Sequence, residues 1–190
     1  MDRMKRRRFQ SMGLRGIGVT LAVAMLWFAQ VTKAQVAIYG EATGANIGFK
    51  DTPHVYGGTF GIYDTKQVGP AALGFDVRVG LTGRGGTSQP LSDAALDMGQ
   101  FGVRAAFTGW KLPIKPYAEV LVGPAYWRGG LSVARNDANH FLMQALGGLD
   151  VAILPKVQWR VVEFAYGRMG GVPNYVEPMI LSTGIVLVLK

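Results

Sequence analysis

Cysteine is absent from the 190 residues, which excludes disulfides, thiolate metal sites, cysteine nucleophiles and lipid attachment at a lipobox cysteine. Histidine is scarce: only two are present, His54 and His140. Charged residues make up only 17% of the chain. After Gln35 no run approaches the roughly 18 apolar residues expected of a spanning helix, so no helix of that region is expected to cross a membrane. What is plentiful is glycine, 27 residues, a composition that favours many strands over a helical bundle, and the length suits one domain.

The formal charge of +8 invites a nucleic-acid reading, but the charge is unevenly placed. Residues 1–34 carry seven Lys and Arg against one acid, which leaves 13 basic and 11 acidic residues beyond them. That N-terminus is tripartite: cationic "MDRMKRRRFQSMGLRG", apolar "IGVTLAVAMLWFA", then Thr32 and Ala34 as small residues at the −3 and −1 positions of a cleavage site. The apolar segment is short for a spanning anchor. Residues 1–34 therefore read as a secretory signal peptide cut between Ala34 and Gln35, with residues 35–190 as the mature domain and no nucleic acid among its partners.

In the mature region apolar residues recur at every second position. "ALGFDVRVGLTG" sets Leu73, Phe75, Val77, Val79 and Leu81 against Gly74, Asp76, Arg78, Gly80 and Thr82. "QFGVRAAFTG" does the same with Phe101, Val103 and Phe107, "PYAEVLVGPAYW" with Val120 and Val122, "QWRVVEFAYGR" with Val162, Phe164 and Tyr166. "FLMQALGGLDVAIL" and "LSTGIVLVL" repeat the pattern, and the weaker "VAIYGEATGANIGF" and "VYGGTFGIY" bring the strands to eight. The links "DTKQVGP", "WKLPIKP" and "LPK" are short, whereas "RGGTSQPLSDAALD", "RGGLSVARNDANH" and "MGGVPNYVEP" are longer and more polar. Short turns at one rim and long loops at the other describe an all-β, eight-stranded, antiparallel up-and-down transmembrane β-barrel.

The non-apolar face of these strands is mostly Gly, Ala, Thr and Ser, which suits a narrow interior better than a solvated surface. Its charges are few: Glu41, Asp76, Arg78, Arg104, Glu119, Asp150 and Glu163. In an eight-stranded barrel side chains fill the lumen, so these seven are expected to pair in a plug. Tyr56, Trp110, Tyr117, Tyr126, Trp127, Trp159, Tyr166 and Tyr175 fall near strand ends, where amphipathic rings are expected at the membrane interfaces.

The final strand, with Ser182, Gly184, Leu187 and Leu189 at alternating positions, resembles the C-terminal signal by which outer-membrane barrels are recognised by the barrel-assembly machinery. The family's signal usually ends on an aromatic residue, whereas here Leu189 is followed by Lys190. With the signal peptide and the eight strands, residues 35–190 resemble the small outer-membrane barrels of the OmpA transmembrane-domain and OmpX type. That resemblance implies residence in a bacterial outer membrane among lipid and lipopolysaccharide, and a monomeric barrel. His54 and His140, both placed in outer loops, show no nucleophile–base spacing and no metal-ligand spacing, so neither a catalytic site nor a metal or other cofactor is expected. Arg84, Arg128, Arg135 and Arg168 lie at or beyond the outer rim, where lipopolysaccharide phosphates would stand. The expectation is a non-enzymatic structural or surface-interaction barrel with a closed lumen. A small, porin-like solute channel, a lipid A-modifying enzyme and a periplasmic lipocalin-like binder are the alternatives.

Overall fold

The computed structural model describes residues 34–46, 54–83, 95–110, 112–128, 138–170 and 177–189; the proposed signal segment, apart from Ala34, lies outside these. The strands are β1 (Ala34–Asn46), β2 (Val55–Val68), β3 (Ala71–Gly83), β4 (Ala95–Phe107), β5 (Ile114–Arg128), β6 (Ala138–Leu154), β7 (Val157–Gly170) and β8 (Met179–Val188). Each pairs antiparallel with its sequence neighbours, and β8 pairs with β1 from Ala37↔Val188 to Asn46↔Met179, closing the barrel. Closure leaves no sheet edge to pair elsewhere.

Connections alternate as expected. Gly69–Pro70 and Pro155–Lys156 are two-residue turns on the rim where β1 begins and β8 ends, here called the inner rim. Gly69 takes a left-handed φ of 62° that glycine tolerates without strain, and the Gln67 amide donates to its carbonyl at 2.7 Å. Several strands outrun their sequence-level boundaries: Asp64–Val68 and Ile114–Pro116, read as turn residues, continue β2 and β5, and Ala95–Asp97 and Ala138–His140, read as loop, open β4 and β6. At most of these positions period-two alternation is masked by polar or small residues on the outward face.

The alternation fixes which face is which. Phe75, Val77, Val79, Phe101, Val103, Val120 and Phe164 are 43–70% exposed on the outer wall, and Leu181, Ile185 and Leu187 continue that wall on β8. An apolar band of this kind is a lipid-facing surface. Some inward positions are glycine where the backbone of the neighbouring strand approaches closely. A Cβ on Gly74 would lie 1.8 Å from the Asp64 carbonyl oxygen, and one on Gly184 would lie 2.2 Å from that of Gly40. Any side chain at Gly184 would therefore push β8 off β1 at the closing seam.

The lumen is layered. Toward the outer rim, Leu96, Met98, Trp127, Leu142 and Met169 form a buried apolar plug. Toward the inner rim sits a smaller cluster of Ala37, Tyr39, Tyr63 and Val186. Between the two lies a belt of charge.

Candidate functional site: the luminal charge network

All seven charges expected inside the barrel are inward and at most 5% exposed, and the structure brings them into one connected network. Arg78 on β3 reaches three carboxylates: Asp76 on its own strand at 3.2 Å, Glu119 on β5 at 2.6 Å and Glu163 on β7 at 2.6 Å. Arg104 on β4 bonds Glu119 and also Asp150 on β6, the latter at 2.8 Å.

An eighth member lies outside the strict alternation of its strand. Arg160, with no exposed surface, bonds Glu41 on β1, Asp150 at 2.9 Å and Glu163 at 3.1 Å. Strict alternation from Val162, Phe164 and Tyr166 would turn Arg160 outward. A bulge in β7 reverses it: Asp150 faces Arg160 while Leu149 faces Val162, so Val161 is an extra residue. Across the other side, Arg160 pairs with Gly184 and Glu163 with Ser182, leaving Thr183 opposite the two bulged residues. The bulge is locally satisfied, because the Thr183 hydroxyl donates to the Arg160 carbonyl at 2.9 Å and the Trp159 indole N–H donates to that hydroxyl at 3.3 Å. Thr183 thus places a polar group on an otherwise apolar wall for a backbone reason.

Three tyrosines, Tyr39, Tyr63 and Tyr117, complete the belt beyond the charges that the sequence pattern predicts. The Tyr39 hydroxyl lies 2.8 and 2.9 Å from the two Asp76 carboxylate oxygens, and the Tyr117 hydroxyl donates to Glu163 at 2.7 Å. Their rings lie over glycines across the strand pair: a Cβ on Gly61 would meet Tyr39, and one on Gly148 would meet Tyr117, both within 2.4 Å. The guanidinium of Arg104 sits 3.7 Å from the Tyr117 ring centre and 4.3 Å from that of Tyr63, and Arg160 sits 4.4 Å from Tyr39, contacts that favour a desolvated cation. Five carboxylates meet three arginines here, and half-buried Lys115 faces Asp150 in register from the inner end.

Two aromatic assignments are corrected. Tyr117 and Trp127 are not interface rings but inward residues, 5% and 9% exposed; each is an odd-numbered residue of β5, in phase with luminal Glu119. Tyr56, Trp110, Trp159 and Tyr166 do stand on the outer wall, 40–62% exposed, and Tyr175 lies outside the described residues. His140 is likewise not in a loop: it belongs to β6, with its Nδ1 3.1 Å from the Gly170 carbonyl. Arg168 belongs to β7 and Arg128 ends β5, while Arg84 and Arg135 lie outside the described residues.

Of the terminal-signal residues, Ser182 is buried and hydrogen-bonded to Thr43 at 3.1 Å, which in turn bonds Thr59 at 2.9 Å. Gly184 packs against β1, and Leu187 and Leu189 face outward. Ala34 and Gln35, flanking the expected cleavage point, are the first residues of β1 and pair with Lys66 and Thr65.

A closed eight-stranded barrel with an apolar exterior and a charged, side-chain-filled interior is a transmembrane β-barrel of the small outer-membrane type. No protein-family model matches the chain, and no curated protein matches it in sequence. Solved structures share the fold. Neisserial surface protein A is 16% identical, with a TM-score of 0.53 over 81% of this chain and 96% of that one. Ail, the attachment invasion locus protein of Yersinia pestis, is 11% identical, with a TM-score of 0.50 over 82% and 99%. The N-terminal β-barrel domain of Pseudomonas aeruginosa OprF is 11% identical, with a TM-score of 0.50 over 82% and 100%.

Proposed function

We propose that this outer-membrane barrel is a non-enzymatic structural or surface-interaction protein whose lumen sustains no steady flow of ions or solutes. The observation that carries this reading is the belt itself. Three arginines link carboxylates of β1, β3, β5, β6 and β7 across the interior, and the apolar plug of Leu96, Leu142, Trp127 and Met169 lies above them. An ion entering from the outer rim meets a dry layer before it meets the charges, and inside the belt every arginine is already held by at least two carboxylates. In a barrel of this strand number the side chains take up the space a pore would need.

A catalytic reading would need a nucleophile beside a base. His140 is engaged by a backbone carbonyl, and the buried Ser182 hydroxyl is engaged by Thr43. In the proposed role the partners are outer-membrane lipid, lipopolysaccharide at the outer rim and, during biogenesis, the barrel-assembly machinery reading the Ser182–Leu189 strand; the barrel acts as a monomer. Planar-bilayer recording of the refolded protein tests the closed lumen. Silence or rare brief openings are expected, and large steady single-channel currents would replace this reading with the solute channel.

A further inference from the structure

The ladder between β4 and β5 breaks once. Pairing runs from Ala95↔Arg128 to Met98↔Ala125 and resumes at Phe101↔Val122 in the same register. The gap at Gly99 and Gln100, opposite Pro124 and Gly123, is therefore not a bulge. Its cause is Pro124, which has no N–H to donate. The β5–β6 ladder continues unbroken through Pro124↔Phe141, so the missing bond is the one owed to the Gly99 carbonyl on β4. No side chain braces the gap. A Cβ on outward Gly99 would meet nothing within 4 Å, and one on inward Gly123 would lie 2.0 Å from the Gly99 carbonyl oxygen.

On the outer-rim side of the gap four residue pairs hold the two strands together. The chain passes from β4 to β5 at the inner rim, so no turn ties them at this end. We propose that β4 and β5 part as far down as Pro124, opening the wall sideways at the level of the apolar plug while the charge belt stays shut. This conformational device goes beyond the closed-lumen reading, because the belt remains intact. Parting turns Leu96, Met98, Ala125 and Trp127 toward the hydrocarbon, all apolar members of the plug, so no buried charge meets lipid. Asp97, on the outward parity with Phe101 and partly exposed, marks this stretch as interface, where water can take up the released backbone groups. Further down the same motion would strip Arg104 from Glu119, which are paired across these strands and joined by an ion pair. Uncompensated buried charge stops it there.

Neighbouring amides on one strand face opposite sides, which gives the test its internal control. The Leu96 N–H lies 3.2 Å from the Thr82 hydroxyl of β3, so Leu96 and Met98 donate toward β3 whereas Asp97 and Gly99 donate toward β5. On β5 the Tyr126 amide faces β4, and those of Ala125 and Trp127 face β6. Hydrogen exchange is read by NMR, residue by residue, on the barrel in lipid nanodiscs. After correction for intrinsic rates, Asp97, Gly99 and Tyr126 should exchange about tenfold or more faster than Leu96, Met98, Ala125 and Trp127 at the same depth. Pro124→Ala supplies the missing donor and should slow the first set about tenfold. Met98→Cys combined with Ala125→Cys, in a chain otherwise free of cysteine, should slow Asp97 and Tyr126 when oxidised and release them when reduced, which keeps the test decisive if Pro124→Ala misfolds. Equal exchange by the two sets, the result of ordinary fraying of the whole rim, overturns the inference. So does exchange at Asp97 and Tyr126 that neither Pro124→Ala nor the oxidised cross-link changes.

Discussion

Arg160 and Glu41 offer an asymmetric test of the luminal belt. Replacing Arg160 with Met strips one partner from each of three carboxylates, and the consequences differ among them. Asp150 keeps Arg104 at 2.8 Å, and Glu163 keeps Arg78 at 2.6 Å and the Tyr117 hydroxyl at 2.7 Å. Glu41 is 5% exposed, and Arg160 supplies its ion pair while its second oxygen has no partner. The damage therefore concentrates at Glu41. Leaving one charge of a buried pair uncompensated costs about 3–5 kcal/mol, so Arg160→Met should lower barrel stability by that amount. Glu41→Gln is milder, because Arg160 keeps Asp150 and Glu163; about 1.5–3 kcal/mol is expected, the scale of one hydrogen bond to a charged group. Adding Glu41→Gln to Arg160→Met removes the stranded charge, so the double variant should be more stable than Arg160→Met alone by about 2 kcal/mol or more, a coupling within the range of residues that share a network. Equilibrium urea unfolding in lipid vesicles, followed by tryptophan fluorescence and gel mobility, measures all four corners of the cycle. Additive losses, or a double variant less stable than Arg160→Met, would refute the reasoning that Glu41 is the group left stranded.

The other predictions address the wall, the bulge and the N-terminus. Val77 is 52% exposed on the apolar exterior, so Val77→Arg should cost about 2–4 kcal/mol near the bilayer midplane; unchanged folding in vesicles would mean that the two faces are reversed. Thr183→Val keeps the shape but leaves the Arg160 carbonyl of the bulge without its side-chain donor, and a loss of about 1–3 kcal/mol is expected for a polar group stranded away from water. Thr183→Ser should restore most of it, and a Val variant as stable as the Ser variant would remove the bulge-capping role. Envelope-purified protein should begin at Gln35 by N-terminal sequencing, and an intact Met1 would refute signal cleavage.

Legibility in the sequence followed the regularity of the pleat. Wherever a strand keeps strict period two, as β3 does from Leu73 to Leu81, the parity alone separates lipid-facing from luminal residues, and seven of the network's charges sit on the luminal parity. Arg160 was hidden because one added residue, Val161, resets the count within β7, and nothing in "QWRVVEFAYGR" marks where the reset occurs. Its partner strand holds a faint trace, since Thr183 is a polar residue on an outward parity otherwise filled by Leu181, Ile185 and Leu187. Tyr117 is ambiguous for a different reason: nearness to a strand end suggests an interface ring, whereas its parity with Glu119 points inward. Tyr39 and Tyr63 were obscured because outward Gly40, Ala42, Gly44 and Gly58 weaken the contrast between the faces of β1 and β2.

The luminal belt also has a mechanical meaning. A barrel held only by neighbour-to-neighbour ladders is a hoop, and a hoop can flatten or be unpicked two strands at a time. Here the side chains act as spokes: Arg78 ties β3 to β5 and β7, Arg160 ties β7 to β1 and β6, and Tyr39 ties β1 back to β3. Because the Arg78–Glu163 spoke joins opposite walls, load on one hairpin is carried across the barrel, and drawing out β1 pulls on Arg160 and Asp76 as well as on β2 and β8. A cantilever attached at the inner rim would then meet a few large rupture events in place of a staircase of equal hairpin steps.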